Sequence, residues 1–308
     1  MNKLSPIVIF CYQRLRLLKA LISSLSENPE SKKSTLYFFS DNYQGKLDKK
    51  NVMKIRKYIL NLKGFKKIIL IKRKKKLGLT NNITTGVNYI FKKYKSAIFL
   101  EDDLVVSKNF LKFMNYSLNF YFTNKKVWHI SGWNYNLINK NNKPGRKCEA
   151  YLWRVMNCWG WATWKDRWMF FRRNPKEIIE KWDNDKIKKF NLDESCDFFS
   201  QILRNHEKRI NTWAIFWYAT IFENKGLCLN PKISLTRNEG SDKLSTNDPH
   251  KVKNDLIFNY ILNNKISLPK SIKENFHITN QIKSYMHKDQ LENKYKYFKN
   301  IFKNYFKI

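Results

Sequence analysis

Three consecutive carboxylates, Glu101-Asp102-Asp103, follow directly on the apolar run Ala97-Ile98-Phe99-Leu100. Unpaired like charges beside a buried strand are heavily penalised, so the triplet calls for a cationic counterpart. A hard divalent ion, Mg2+ or Mn2+, suits such a site because it takes few protein carboxylates and completes its shell with water and phosphate oxygens. Held there, it neutralises a departing diphosphate as a Lewis acid. The plainer reading of the triplet alone is a solvated acidic strand end paired with lysine. Trp159-Gly160-Trp161 is the second arrangement with chemical content. Two indoles around a glycine offer a platform for a sugar face with close backbone approach. Trp164 and Trp168 continue the series at helical spacing, which reads equally as core.

The elements that must position these groups follow from the apolar pattern. Ile7-Val8-Ile9-Phe10 reads as a strand, Leu15 to Leu25 as a helix, Leu36 to Phe39 as a second strand and Val52 to Leu62 as a helix. Lys67 to Ile71 is a third strand, Asn81 to Tyr94 a helix, and Ser96 to Leu100 a fourth strand. Alternation at this spacing predicts an α/β fold with a mostly parallel sheet flanked by helices. Functional groups in such sheets collect at the carboxyl ends of strands. Arg14, Asp41 and the triplet all fall there, so three separate strands deliver polar groups to one edge. Arg14 also reads as an ordinary helix-start residue, and Asp41 as a turn or N-cap residue. Beyond the triplet come a helix over Phe110 to Phe122, a segment from Trp128 to Trp133, a polar loop from Asn139 to Lys147, and Trp-rich stretches. Asp193 to Leu203 looks helical.

With 308 residues, 43% of them apolar, the chain has material for a large core, and a disordered or fibrous class is excluded. The net charge of +35 predicts attraction to polyanions, although the basic residues spread along a chain rich in Lys throughout. Cys11, Cys148, Cys158, Cys196 and Cys228 are odd in number with no CxxC pair, which argues against a disulfide framework or zinc site. The apolar run Pro6 to Tyr12 is too short for a secretory signal, so a cytoplasmic protein is expected.

Several segments together resemble GT-A-fold glycosyltransferases related to N-acetylglucosaminyltransferase I. They are IVIFCYQRLRLLKALISSL near the start, IFLEDDLVVSKNFLKF from Ile98 to Phe113, Ser131-Gly132-Trp133-Asn134, CWGWATWKDRW from Cys158 to Trp168, and CLNPKISLTRNEG from Cys228 to Gly240. They stand in the family's order and cover roughly residues 5 to 247. The resemblance implies transfer of a sugar from a nucleotide-sugar donor, UDP-linked, to a glycan or lipid-linked glycan acceptor in surface polysaccharide synthesis. It places Arg14 near the diphosphate, Asp41 at the uracil, Glu101 and Asp102 at sugar and ribose, and Asp103 on the metal. Arginine suits phosphate oxygens, and a single acidic ligand suits an ion already held by diphosphate. Trp133, Trp159 and Trp161 are the expected acceptor- or sugar-stacking residues. The division expected is a nucleotide-sugar half over 1–105, an acceptor half over 106–249 and a basic helical C-terminal extension over 250–308.

The departure from the family concerns the general base. An inverting transferase needs a carboxylate to take the acceptor proton. The family's Asp follows a Trp matching Trp213, and here that place holds Ala214. Asp242, on a loop from Arg237 to Thr246 suited to closing over a donor, is the first substitute, with Asp197 and Glu223 as alternatives. Otherwise the enzyme is not inverting, or the chain is an inactive, membrane-associated scaffold of the same fold. A polyanion- or nucleic-acid-binding protein is the third reading, and it leaves the triplet unexplained. In the C-terminal segment Phe298, Ile301, Phe302, Tyr305 and Phe306 recur at helical spacing among lysines, so an anionic membrane surface is the expected further partner.

Overall fold

The computed structural model describes residues 4–135, 150–240 and 266–287. An eight-stranded sheet divides two cores. Strands β1 (Ile7–Cys11), β2 (Thr35–Ser40), β3 (Lys67–Lys72) and β4 (Ser96–Glu101) form its parallel half, in the order β3-β2-β1-β4. The runs in β1, β2 and β4 are continuously apolar because both faces are covered, as parallel strands require. Helices α1 (Leu15–Ser26) and α2 (Lys46–Leu60) follow β1 and β2 and cover one face through Leu18, Leu21, Ile55 and Ile59. Helix α3 (Leu79–Phe91) returns the chain from β3 to β4 and covers the other through Ile83, Val87 and Ile90. Right-handed crossovers running in opposite directions place helices on opposite faces. Strand order therefore reverses between β1 and β4, which opens a crevice at their carboxyl ends.

The short strand β5 (Leu104–Val106) leaves the sheet immediately after the triplet. Then come α4 (Phe110–Phe120), β6 (Val127–Ser131), β7 (Ala150–Trp153), β8 (Trp161–Trp164), α5 (Lys165–Trp168), α6 (Pro175–Lys181), α7 (Asn184–Phe190), α8 (Phe199–His206), α9 (Ala214–Glu223), β9 (Leu227–Pro231) and β10 (Thr236–Asn238). β8 joins β4 and β6 antiparallel, β6 pairs β9 parallel, and β7 closes the edge antiparallel to β9. Four of the seven pairings in the sheet are thus parallel, in keeping with the α/β architecture expected.

Two sequence expectations are corrected. Trp161 and Trp164 lie on a strand, not a helix, and face opposite cores. Asp193 to Leu203 is not one helix, because Leu192, Asp193 and Glu194 adopt positive φ and α8 begins only at Phe199. Residues 266–287 pack on the domain: Ile266, Leu268 and Ile282 are buried, the Asn275 N–H donates to the Leu152 carbonyl of β7, and Arg154 grips Glu274 at 3.0 Å. This strap covers the exposed edge that β7 would otherwise present. Asn139 to Lys147, the loop beyond Gly240 and the aromatic series from Phe298 to Phe306 lie outside the described residues.

Candidate active site

Arg14, three residues beyond β1, reaches the triplet at the end of β4. Its Nη2 lies 2.8 Å from Asp102 Oδ1 and 2.8 Å from Asp103 Oδ2, a fork across both carboxylates. The cation demanded by the triplet is thus supplied in part by the chain itself. Asp102 is fixed further by the Tyr12 N–H, which donates to its Oδ2 at 3.0 Å. Burial pushes the Asp102 carboxyl up to about 6, with Arg14 opposing that shift. Burial also disfavours charge on Arg14, but Asp102 and Asp103 more than offset it and the guanidinium stays protonated.

Glu101 stands apart from this fork. Alternation along β4 sends Phe99 to the aromatic core and Leu100 to the aliphatic one, so Glu101 belongs to the Phe99 side and Arg14, at the head of α1, to the other. Burial first, then repulsion from Asp103 and Asp102, raises the Glu101 carboxyl to about 8, and Arg14 offsets only part of this. Glu101→Gln should therefore stabilise the metal-free protein at alkaline pH. A carboxyl with a raised folded pKa binds its proton more tightly in the native state, so its stabilisation is complete below about 4.5 and is lost as pH rises towards 8. Denaturant titrations at pH 5 and pH 9 should show the variant gaining on the order of 2 kcal/mol relative to the parent at the higher pH, discounted for partial exposure. An unchanged difference between the two pH values would contradict the assignment.

Asp103 carries the signal for a metal. Its Oδ1 is buried and has no hydrogen-bond partner among the described residues. Its carbonyl accepts the Glu239 N–H at 2.8 Å, and β10 pairs antiparallel with β5, so the segment ending at Gly240 lies over the carboxylate. A Cβ at Gly240 would clash with Asp103 Oδ2 and force that carboxylate to shift. An orphaned carboxylate oxygen beside a glycine cradle fits one protein ligand to a hard cation completed by water and phosphate. Among the described residues there is no group of three or more His, Cys, Asp or Glu arranged to hold a metal.

Asp41, at the end of β2, is almost fully enclosed. Its Oδ1 accepts the Asn42 and Leu77 N–H groups at 2.8 and 2.9 Å, its Oδ2 accepts the Gly78 N–H at 2.9 Å, and Lys76 Nζ stands 3.7 Å away. Gly78 has φ +76°, a conformation glycine adopts without strain. Asp41 thereby anchors the 76–78 loop, and a base contact would have to share oxygens already in use. Arg56 braces the same turn through Ser40 Oγ and the Asp41 carbonyl, both at 3.2 Å. Tyr12, with Lys76 over its ring and its hydroxyl bonded to Asp48, completes this wall. Neither Tyr12 nor Lys76 was singled out from sequence; the signal available was their position just after the apolar runs of β1 and β3.

The three tryptophans part company. Trp161 is 2% exposed, with Phe99 stacked at 4.4 Å, Trp213 at 5.1 Å and His129 at 5.6 Å, so it is core and presents no face to a sugar. Trp133 is largely buried and meets Trp159 edge-on at 5.0 Å. Trp159 alone is half-exposed, and its carbonyl accepts Thr236 Oγ1 of β10 at 2.7 Å, which ties the Trp159 loop to the strand covering Asp103.

The base candidates also separate. Glu223, at the end of α9, accepts Trp182 Nε1 at 2.9 Å and pairs with Lys186. Asp197 accepts the Ser200 N–H at the start of α8, a local capping role. Neither is tied to the triplet. Asp242 lies outside the described residues. Ala214 opens α9 beside Trp213, which is stacked on Trp161 in the core. Burial, with Glu101 adding to it, pushes the Cys158 thiol up, which disfavours the thiolate.

No family model matches this chain, and no curated protein matches it either. Solved structures with a distant likeness are TarS residues 1–349 of S. aureus, the galactosyltransferase LgtC in complex with donor and acceptor sugar analogs, and a mannosyltransferase of Pyrobaculum calidifontis in complex with GDP-Man and Mn2+. TarS is 8% identical with a TM-score of 0.43, over 77% of this chain and 61% of that one. LgtC is 9% identical at 0.36, over 70% of each chain, and the mannosyltransferase 9% identical at 0.38, over 73% and 70%. This chain thus spans 61% of the TarS structure. At TM-scores below 0.5 these likenesses identify neither a family nor a donor.

Proposed function

We propose that this chain is a glycosyltransferase that moves a sugar from a nucleotide-sugar donor, UDP-linked, to a glycan or lipid-linked glycan hydroxyl. The observation that carries the reading is Asp103: a buried carboxylate oxygen without a partner, at the switch point of a parallel sheet, covered by Gly240 and flanked by Arg14. Proteins rarely leave such an oxygen unpaired unless an ion, a ligand or an ordered water completes it. The order of the sequence segments resembling GT-A transferases supports the same class.

Asp103 would hold Mn2+ or Mg2+, which when bound neutralises charge on the leaving diphosphate. Arg14 keeps Asp102 and Asp103 in fixed orientation and lowers the cost of crowding two carboxylates. Asp102, pinned by Tyr12 and Arg14, would accept from donor hydroxyls, and Trp159 offers the stacking surface. Two carboxylates compete for the acceptor proton: Asp242, from sequence, and Glu101, which lies outside the Arg14 fork and whose carboxylate makes no hydrogen bond among the described residues. Loss of the general base costs about 10² to 10⁴-fold. If Asp242→Asn shows that loss and Glu101→Gln a smaller one, Asp242 is the base; the reverse order assigns Glu101.

The deciding experiment is a panel of UDP- and GDP-linked sugars incubated with the protein and Mn2+, with nucleotide release as the readout. One donor should be hydrolysed slowly, with chelator abolishing the signal. Absence of both hydrolysis and donor-induced thermal stabilisation across the panel would instead support the inactive scaffold that Ala214 favours.

A further inference from the structure

Residues 46–76 hold fourteen Lys or Arg against one acid, Asp48. Three of the fourteen serve the fold: Arg56 braces the β2 turn, Arg73 binds Asn82, and Lys76 faces Asp41. The other eleven, all lysines from Lys46 to Lys75, are exposed, and none forms an ion pair among the described residues. The fold gathers them, because α2 packs on β2 and β3, and β3 is the outermost strand of the parallel half. Lysines on β3 itself protect an open edge from pairing with other chains. That explains Lys67 and Lys72, but not Lys46, Lys49, Lys50, Lys54 and Lys57 on α2.

The outer face of α2 also carries Leu47, Met53 and Leu60, exposed by 96%, 50% and 65%. Each stands among the lysines while Val52, Ile55 and Ile59 fill the opposite, buried face. A solvated helix gains nothing from three apolar side chains on its water side. A helix lying on lipid does, since the apolar chains enter the interface and the lysines meet anionic head groups.

We propose that α2 and the β3 edge form a docking surface for an anionic lipid bilayer. Single-stranded nucleic acid would call for aromatic stacking platforms and arginine forks, whereas the eleven exposed cations here are all lysine and Tyr58 and Phe65 are only part-exposed, packed against the aliphatic core. The same stretch runs on to Lys76, 3.7 Å from Asp41, so the basic face adjoins the crevice that carries the triplet. Docking there would present the crevice close to the lipid surface, where a lipid-linked acceptor resides; that last step alone rests on the proposed transfer reaction.

The test uses the full chain and vesicles of phosphatidylcholine with or without phosphatidylglycerol, read by cosedimentation. The parent should bind only the anionic vesicles and be released by salt. A variant with Lys46, Lys50, Lys54 and Lys57 changed to Gln should bind more weakly by about a hundredfold or more, at roughly fivefold per lysine. A second variant, Leu47→Ser, Met53→Ser and Leu60→Ser, should lose affinity while keeping every charge. All seven positions are exposed, and circular dichroism and thermal melting of both variants serve as the control for folding. Undiminished vesicle binding by the lysine variant would overturn the proposal by placing the contact elsewhere. So would a serine variant that binds like the parent while oligonucleotide displaces the protein from vesicles, which would mark a nucleic-acid surface. Vesicle binding needs no donor or turnover, so its outcome is independent of whether sugar transfer is found.

Discussion

Asp103→Asn is expected to reduce metal-stimulated donor turnover on the order of 10³-fold or more, the consequence of several kcal/mol of lost transition-state stabilisation. The substitution keeps the shape of the side chain and removes its charge. Oδ1, the oxygen with no partner, is the atom through which a cation would be held. The fold should survive, because two effects oppose each other. The Arg14 bond at 2.8 Å weakens, but repulsion on Asp102 and Glu101 is relieved. A melting temperature within a few degrees of the parent is the expected control, and Mn2+ should raise the parent's melting temperature more than the variant's. Near-parental, Mn2+-stimulated turnover in the variant would remove Asp103 from the site.

The parallel half was legible because a strand buried on both faces must be written as a continuous apolar run, and Ile7 to Phe10, Leu36 to Phe39 and Ala97 to Leu100 have no other use. Their carboxyl ends then located Arg14, Asp41 and the triplet without further information. What lies between those groups was not legible. That Arg14 closes on Asp102 and Asp103, while Glu101 faces the opposite core, depends on the sheet's pleat and on where α1 begins. Trp161 and Trp164 misled for a specific reason. A spacing of three marks one stripe of a helix but two faces of a strand, and β8, central between β4 and β6, buries both. The first two turns of α2 were missed because KLDKKN has no apolar stripe, its outer face being basic. The lysines of residues 46–76 were visible as letters, yet a chain with 60 basic residues hides a cluster. Only packing of α2 against an edge strand shows that eleven of them turn outward together.

Arg14→Met should expose how much of the site's stability rests on one guanidinium. Breaking a buried ion pair by removing one partner costs about 3 to 5 kcal/mol when the orphaned charge must remain. Here it need not remain, because Asp102 already sits near 6 through burial and loses the opposing influence of Arg14 in the variant. A carboxyl whose folded pKa is raised stabilises the native state below its unfolded pKa, and that contribution fades as pH climbs through the folded value. At pH 5 Asp102 is largely protonated in parent and variant alike, so the cost there should be confined to the lost Arg14–Asp103 pair. Towards pH 8 the parent carries a charge met by Arg14, whereas the variant must hold a proton or bury a bare carboxylate. The stability difference in metal-free buffer should therefore widen with pH and approach the full cost only on the alkaline side. Chemical denaturation at pH 5, 6.5 and 8 measures it directly. A difference constant with pH would mean that Arg14 acts through Asp103 or through packing, and not through Asp102. A companion measurement bears on the metal: Mn2+ at pH 8 should recover part of the loss in Arg14→Met, because a divalent ion on Asp103 replaces the missing positive charge. It should do so less in a variant that also carries Asp103→Asn, since the carboxylate needed to hold the ion is then gone.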